Sequence, residues 1–302
     1  MKQLNLKAYA KINLAIDVLG KLPSGYHEVS MVMQQIELHD KVSVKWLPSE
    51  ELKKTIEIET NSNKRYLPRG EKNLAYQAAQ LIIERFDICS KVGPGKVRID
   101  IKKQIPVGAG LGGGSADCAA VFHALSSIWR LNLNLNELCE LGAELGADVP
   151  FCIMGQAGKT AAHAEGTGTK ITPIQGIDMW LVLSKPPISV STANVYKGFS
   201  ELTEKNFERP NIEELISAMS EKNFALLTKN LVNVLENFTL KAYSDTMFTK
   251  NKMITETMPL KAIMSGTGPT IIGFYLTEES AQLAYEKMCT LNSETFLTRT
   301  LS

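Results

Sequence analysis

Residues 106–120, PVGAGLGGGSADCAA, set five glycines into the seven positions from Gly108 to Gly114, directly before a run with helical spacing. Consecutive glycines leave backbone N–H groups uncovered, and a following helix adds the partial positive charge of its N-terminus. Such a loop can cradle an anion without any cationic side chain. The bland alternative is a loop that only permits a tight turn from strand to helix, for which two glycines ordinarily suffice. Ser115 falls at the expected N-cap, where its hydroxyl either caps the helix or donates to a phosphate oxygen.

Two familiar phosphate-loop patterns fit poorly. Gly108, Gly110 and Gly113 spell G-x-G-x-x-G, but a dinucleotide site wants a wholly buried parallel strand before the loop and an acidic residue about twenty positions later. The preceding strand here is half polar, and the candidate acid, Glu137, falls inside the second helix. A Walker A loop needs a lysine after its last glycine, and none follows Gly114.

Upstream, KVRIDIKKQI reads as a strand with Val97, Ile99, Ile101 and Ile105 on its core parity. Lys103 interrupts that series, so it either snorkels at the strand end or faces a ligand. At the start of the chain Leu4, Leu6, Ala8, Ala10, Ile12, Leu14, Ile16 and Val18 share one parity, which predicts a half-buried strand, either bent or split in two because of its length. Lys11, Asn13 and Asp17 lie on the opposite, polar parity. KVSVKW and TIEIET read as further strands, and Asn73–Phe86 as a helix opened by its asparagine. Beyond the loop, Ser115–Trp129 and Asn136–Leu145 read as helices and PFCIM as a short strand. The strand MWLVLSKP, amphipathic helices to about residue 255, a second glycine loop within LKAIMSGTGPTIIGFYL, the helix Glu278–Leu291 and a last strand complete the chain.

Asp148, in LGADVPF, follows an expected helix C-terminus, where the macrodipole disfavours a carboxylate, and precedes Val149-Pro150. It is either a solvated turn former or a carboxylate held by a cation. Lys11 is the cation in view. An Asp–Lys pair beside a phosphate cradle would suit phosphoryl transfer, the carboxylate taking a hydroxyl proton and the ammonium stabilising the alkoxide.

The whole chain narrows the classes further. At 302 residues with 44% apolar content, two domains are expected. Charges nearly cancel, 33 Lys+Arg against 32 Asp+Glu, so neither a nucleic-acid groove nor a membrane-surface patch is expected. The 5 cysteines are scattered without a C-x-x-C pair, which disfavours a zinc site or disulfide framework and favours a reducing cytoplasm. No secretory signal pattern or membrane-length apolar run stands out.

Three separated segments, AKINLAIDV, PVGAGLGGGSAD and SGTGPT, together resemble the GHMP kinases, the superfamily of galactose, homoserine, mevalonate and phosphomevalonate kinases. KINL at 11–14, GYHE at 25–28, LGADVPF at 145–151 and AEGTG at 164–168 resemble the branch that phosphorylates a cytidyl diphosphate sugar alcohol in the non-mevalonate route to isoprenoid precursors. The resemblance implies an α+β fold. Residues 1–174 would form an N-terminal ribosomal-protein-S5-domain-2-like domain with the ATP phosphate loop, and 175–302 a ferredoxin-like domain completing the substrate cleft. It implies that Asp148 is the general base with Lys11 as its partner. Pro106, Gly108, Ala109, Gly110, Leu111, Gly112, Gly113, Gly114 and Ser115 would wrap the phosphates of ATP, with Asn73 and Lys103 near the nucleotide. Tyr26 and His27 would read the cytosine, Tyr196 would close over its other face, and Asn13 and Thr192 would touch the substrate. Magnesium would arrive with ATP, held chiefly by phosphates and water. A GHMP kinase for another small alcohol, a dinucleotide-binding oxidoreductase and a non-catalytic nucleotide-binding relative are the competing readings.

Overall fold

The computed structural model describes residues 2–52, 54–203 and 206–302. The opening alternation forms one continuous strand, β1 (Lys2–Lys21), in which exposed and half-buried positions alternate only at first. From Ala10 to Val18 both faces are covered. Lys11, Asn13 and Asp17, on the parity expected to be polar, are therefore only 4%, 1% and 8% exposed. KVSVKW is the end of a second long strand, β2 (His27–Pro48), and TIEIET lies in β3 (Ile56–Ser62).

α1 (Leu74–Arg85) begins where the asparagine signal places it, Asn73 accepting from the Ala75 N–H. After the short α2 (Ile88–Val92) come β4 (Gly95–Lys102), α3 (Gly113–Trp129) and α4 (Leu135–Leu145). Asn134 and Glu137 close a capping box on α4, which gives Glu137 a structural task. PFCIM is helical rather than extended, within α5 (Val149–Gln156). Proline is tolerated in a first helical turn because its missing N–H would have had no partner there. Then follow β5 (Ala161–Gly166), β6 (Lys170–Pro173), β7 (Trp180–Lys185) and five helices: α6 (Thr192–Ser200), α7 (Ile212–Glu221), α8 (Phe224–Asn230), α9 (Glu236–Ala242) and α10 (Ser244–Thr257). β8 (Lys261–Met264), β9 (Ile271–Tyr275), α11 (Glu278–Leu291) and β10 (Glu294–Arg299) end the chain.

Two compact units emerge, neither a continuous stretch of chain. The first takes residues 1–10, 38–105 and 112–159. In it β3 runs parallel to β4, and β4 pairs antiparallel with Lys41–Pro48 of β2. The cross-strand pairs Val42–Ile101, Val44–Ile99 and Trp46–Val97 are all buried. α1 packs on β3, β4 and α3, and α5 packs against α3 and α4.

The second unit takes residues 11–37, 106–111 and 160–302. Its four-stranded sheet has the order β10-β7-β9-β8 with every neighbour antiparallel, and α10 and α11 pack on it. Helices between β7 and β8 and again between β9 and β10 make this the split βαββαβ arrangement of ferredoxin-like domains. Val29–Gln34 of β2 pairs with β5, and β5 with β6. Buried Gln34 donates to the carbonyls of Ile177 and Leu301 at 2.7 and 2.8 Å. Among the described residues no helix is long and apolar enough to cross a membrane.

Candidate active site

Two different causes keep side chains out of the glycine loop. Gly108, Gly110 and Gly112 have φ of +63°, +74° and +66°, a region that side chains rarely tolerate. A Cβ at Gly110 would lie 2.2 Å from the carbonyl oxygen of Ser265. At that position the close neighbour is protein: the second glycine loop, whose Ser265 hydroxyl donates to the Gly110 carbonyl at 3.0 Å. That loop is held in turn by Asn233, which donates to the carbonyls of Met264 and Gly266 at 2.8 and 2.7 Å. Gly108 differs, being exposed with only the Ser189 side chain near its Cβ position, at 3.5 Å or more.

α3 starts two residues earlier than the sequence suggests. Its N-cap is Gly112, in the left-handed region and without a side-chain cap, so Ser115 sits inside the first turn. The first helical bond is Ala116 N–H to Gly112 C=O. The N–H groups of Gly113, Gly114 and Ser115 thus belong to the turn that has no intrahelical acceptors, at the positive end of the macrodipole. N–H groups so placed can donate to an anion such as a phosphate.

Lys103 lies one residue beyond β4 and is 5% exposed. It neither snorkels nor stands open: its ammonium donates to Asp40 and, at 2.8 Å, to Asp117. Asn73 spends its side chain on the α1 cap and on a 2.8 Å bond to the Pro68 carbonyl.

Lys11 donates through Nζ to Asn13 at 2.8 Å and through its backbone N–H to Leu111 in the glycine loop at 3.0 Å. Asp148 is half-buried and is the N-cap of α5. The expected unfavourable macrodipole is thus reversed, because the nearest helix end is the positive end of α5.

At the GYHE turn Gly25 has φ +88°, and Tyr26 is 69% exposed. The His27 and Tyr196 rings stack with centroids 5.0 Å apart and planes at 30°. Ser200, one turn further along α6, donates to the Tyr196 carbonyl at 2.9 Å and lies 2.6 Å from His27 Nε2. With its proton so used, the hydroxyl accepts from Nε2–H, which leaves Nδ1 as an acceptor. Burial, then the Lys21 charge, lowers the His27 pKa and keeps the ring neutral near pH 7. Thr192, in the first turn of α6, shares a 3.1 Å hydrogen bond with Thr267 of the second glycine loop.

The GHMP kinases N terminal domain matches residues 73–156. The chain is 43% identical to a 4-diphosphocytidyl-2-C-methyl-D-erythritol kinase of Alkaliphilus metalliredigens, with 100% of this chain and 98% of the relative covered. It is also 43% identical to the kinase of that name from Acetivibrio thermocellus, with 100% of both covered. A crystal structure of 4-(cytidine 5'-diphospho)-2C-methyl-D-erythritol kinase superposes with a TM-score of 0.80 at 27% identity, over 99% of this chain and 100% of that one. The chain belongs to the 4-diphosphocytidyl-2-C-methyl-D-erythritol kinase family. Its fold is that of the GHMP kinases.

Within this family member the structure joins Lys11 to Asn13 and His27 to Tyr196. Asp40, Asp117, Ser200, Asn233 and Ser265 escaped the sequence reading. Only Asp117 carried a local signal, as a lone charge inside the small, apolar run ADCAAVF.

Proposed function

We propose that this chain transfers the γ-phosphoryl group of ATP to the 2-hydroxyl of 4-diphosphocytidyl-2-C-methyl-D-erythritol, yielding the 2-phosphate and ADP in isoprenoid precursor synthesis. The observation that carries the reading is full-length 43% identity to kinases of that name. Asp148 takes the hydroxyl proton as the new O–P bond forms and the bond between the β,γ-bridging oxygen and the γ-phosphorus breaks. Lys11, oriented by Asn13, stabilises the developing alkoxide. The N–H groups of Gly108–Ser115 hold the phosphates, and Asn73 and Lys103 shape the nucleotide side. Magnesium enters as the ATP complex, its ligands mainly phosphate oxygens and water.

Tyr26, His27 and Tyr196 hold the base. The acceptor Nδ1 of His27 suits the amino group of cytosine and not the carbonyl that uracil has there. Rings 5.0 Å apart leave no space for a third between them, so the cytosine stacks on an outer face or parts the pair. Thr192 contributes a hydroxyl from the start of α6. A small-molecule substrate and a cytoplasmic setting complete the reading.

Phosphorus NMR tests it, with Mg-ATP and, in parallel tubes, the cytidyl substrate, homoserine and mevalonate. A new phosphomonoester in the cytidyl tube alone is expected. A product only in another tube replaces the substrate, and silence in all removes the kinase reading.

A further inference from the structure

The glycine loop leaves the first compact unit at Ile105 and returns to it at Gly112. Around those two points three charged side chains are buried together. Asp40 on β2 is fully buried, and its Oδ1 accepts the N–H groups of Gln104 and Ile105 at 2.5 and 2.9 Å. Its Oδ2 accepts from Lys103 Nζ. The same ammonium donates to Asp117 in the second turn of α3. The backbone of Lys103 is pinned separately: its N–H donates to Asn63 at 2.8 Å and its carbonyl accepts from Asn63 at 3.2 Å. Gly113 leaves the room this needs, since a Cβ there would lie 3.1 Å from Nζ.

We propose that Asp40, Lys103 and Asp117 form a clamp that fixes the entry and exit of the glycine loop to one ammonium, and so sets the spacing of its N–H groups for ATP. The inference rests on the kinase reading above. These are positioning residues, acting on the nucleotide through the backbone they hold.

The charge count gives the clamp a second property. Two carboxylates share one ammonium, one negative charge in excess, beneath a helix N-terminus meant for phosphate. Burial raises the Asp117 pKa to about 7, and Asp40 adds to the rise while Lys103 opposes it. Among the described residues Asp117 Oδ1 has no hydrogen-bond partner, so nothing there offsets the cost of burying its charge. Burial opposes the charge of Lys103, but Asp117 and Asp40 more than offset it, and its pKa is raised. A thiol also lies beside the clamp. Cys118 is pushed well above its ordinary pKa by burial, by Cys152 on α5 and by Asp117, so it stays neutral. Protonated Asp117 makes the clamp neutral, and loss of that proton sets a negative charge against the phosphates.

Calorimetric titration of the intact protein with Mg-ATP at pH 6, 7 and 8.5 tests this, alongside steady-state kinetics. Wild-type affinity for ATP is expected to weaken severalfold from pH 6 to 8.5. Asp117→Asn, which keeps an acceptor for Lys103 but cannot titrate, should bind as wild type does at pH 6 and lose the pH slope. Asp117→Ala cuts the tether and should raise the KM for ATP about tenfold, while the KM for the cytidyl substrate moves less than twofold. An Asp117→Asn protein with the wild-type slope overturns the titration, and a folded Asp117→Ala protein with wild-type ATP affinity overturns the clamp. If Asp117→Ala does not fold, Asp117→Leu, close to the aspartate in shape but without an acceptor for Lys103, makes the same test of the tether. Wild type that binds Mg-ATP yet phosphorylates none of the three alcohols removes the substrate assignment alone, and wild type that binds no Mg-ATP overturns both.

Discussion

At the scale of single residues, chemistry and positioning separate by what a substitution spares. Asp148→Asn keeps the shape of the α5 N-cap but cannot accept a proton, so turnover should fall about a hundredfold or more with ATP affinity held within a few fold. Single-turnover phosphoryl transfer and ATP titration read these apart, and retained turnover would remove Asp148 as the base. Tyr196→Ala removes one stacking ring and should cost about 1–3 kcal/mol in cytidyl-substrate binding; an unchanged KM would place the base elsewhere. Asp117 makes a stability prediction with a definite sign. A carboxyl whose folded pKa is raised from 3.8 to about 7 binds its proton more tightly in the folded state. Its contribution is therefore fully present below the unfolded pKa and is lost as pH rises through about 7. Thermal melts from pH 5 to 8.5 should show Asp117→Asn gaining on wild type as pH rises, and parallel curves would contradict the burial argument.

Elements show which parts of the fold local sequence controls. α1 was legible because it joins a helical spacing to a polar start signal, Asn73. α5 was not, because helices cover it and Val149, Pro150, Phe151, Cys152 and Ile153 are all buried. A short run apolar on every side has no period to read. β1 failed more subtly: alternation placed Lys11 and Asn13 on one face, but could not show that the face is covered. The glycine loop was legible as a loop, yet its reason at Gly110 is the Ser265 carbonyl from a distant segment. Gly108→Ala and Gly110→Ala separate the two causes. Both incur left-handed strain, but only Gly110→Ala must also move a backbone carbonyl, so melting should show it to be the more destabilised of the two. Equal losses would mean that conformation alone fixes both glycines.

For the whole molecule, the decisive feature is that each compact unit gathers segments from distant parts of the chain. The second unit needs β1 and β2 as well as everything after residue 160. Ile16 N–H donates to Val232 C=O at 2.9 Å, and Val234 N–H donates to Ile16 C=O at 3.1 Å. The Gln34 amide satisfies two carbonyls that flank the paired ends of β7 and β10, Ile177 and Leu301, and Asp17 pairs with Arg209 at 2.7 Å. No local pattern announces such pairings, because each joins residues more than a hundred positions apart. A fragment of residues 175–302 keeps β7 to β10 with α10 and α11, so its sheet order is intact, but it loses every one of those partners. Buried carbonyls without donors cost about 1–3 kcal/mol each, and a domain's whole stability is only about 5–15 kcal/mol. The isolated fragment should therefore melt broadly and at a much lower temperature than the intact chain, whereas a fragment with residues 11–37 fused ahead of 160–302 should recover a sharper transition. Circular dichroism melts of the two fragments decide the point. If 175–302 alone melts as cooperatively as the longer fragment, the ferredoxin-like sheet is self-sufficient, and the long strands serve the placement of Lys11, Asn13 and His27 rather than the stability of the unit.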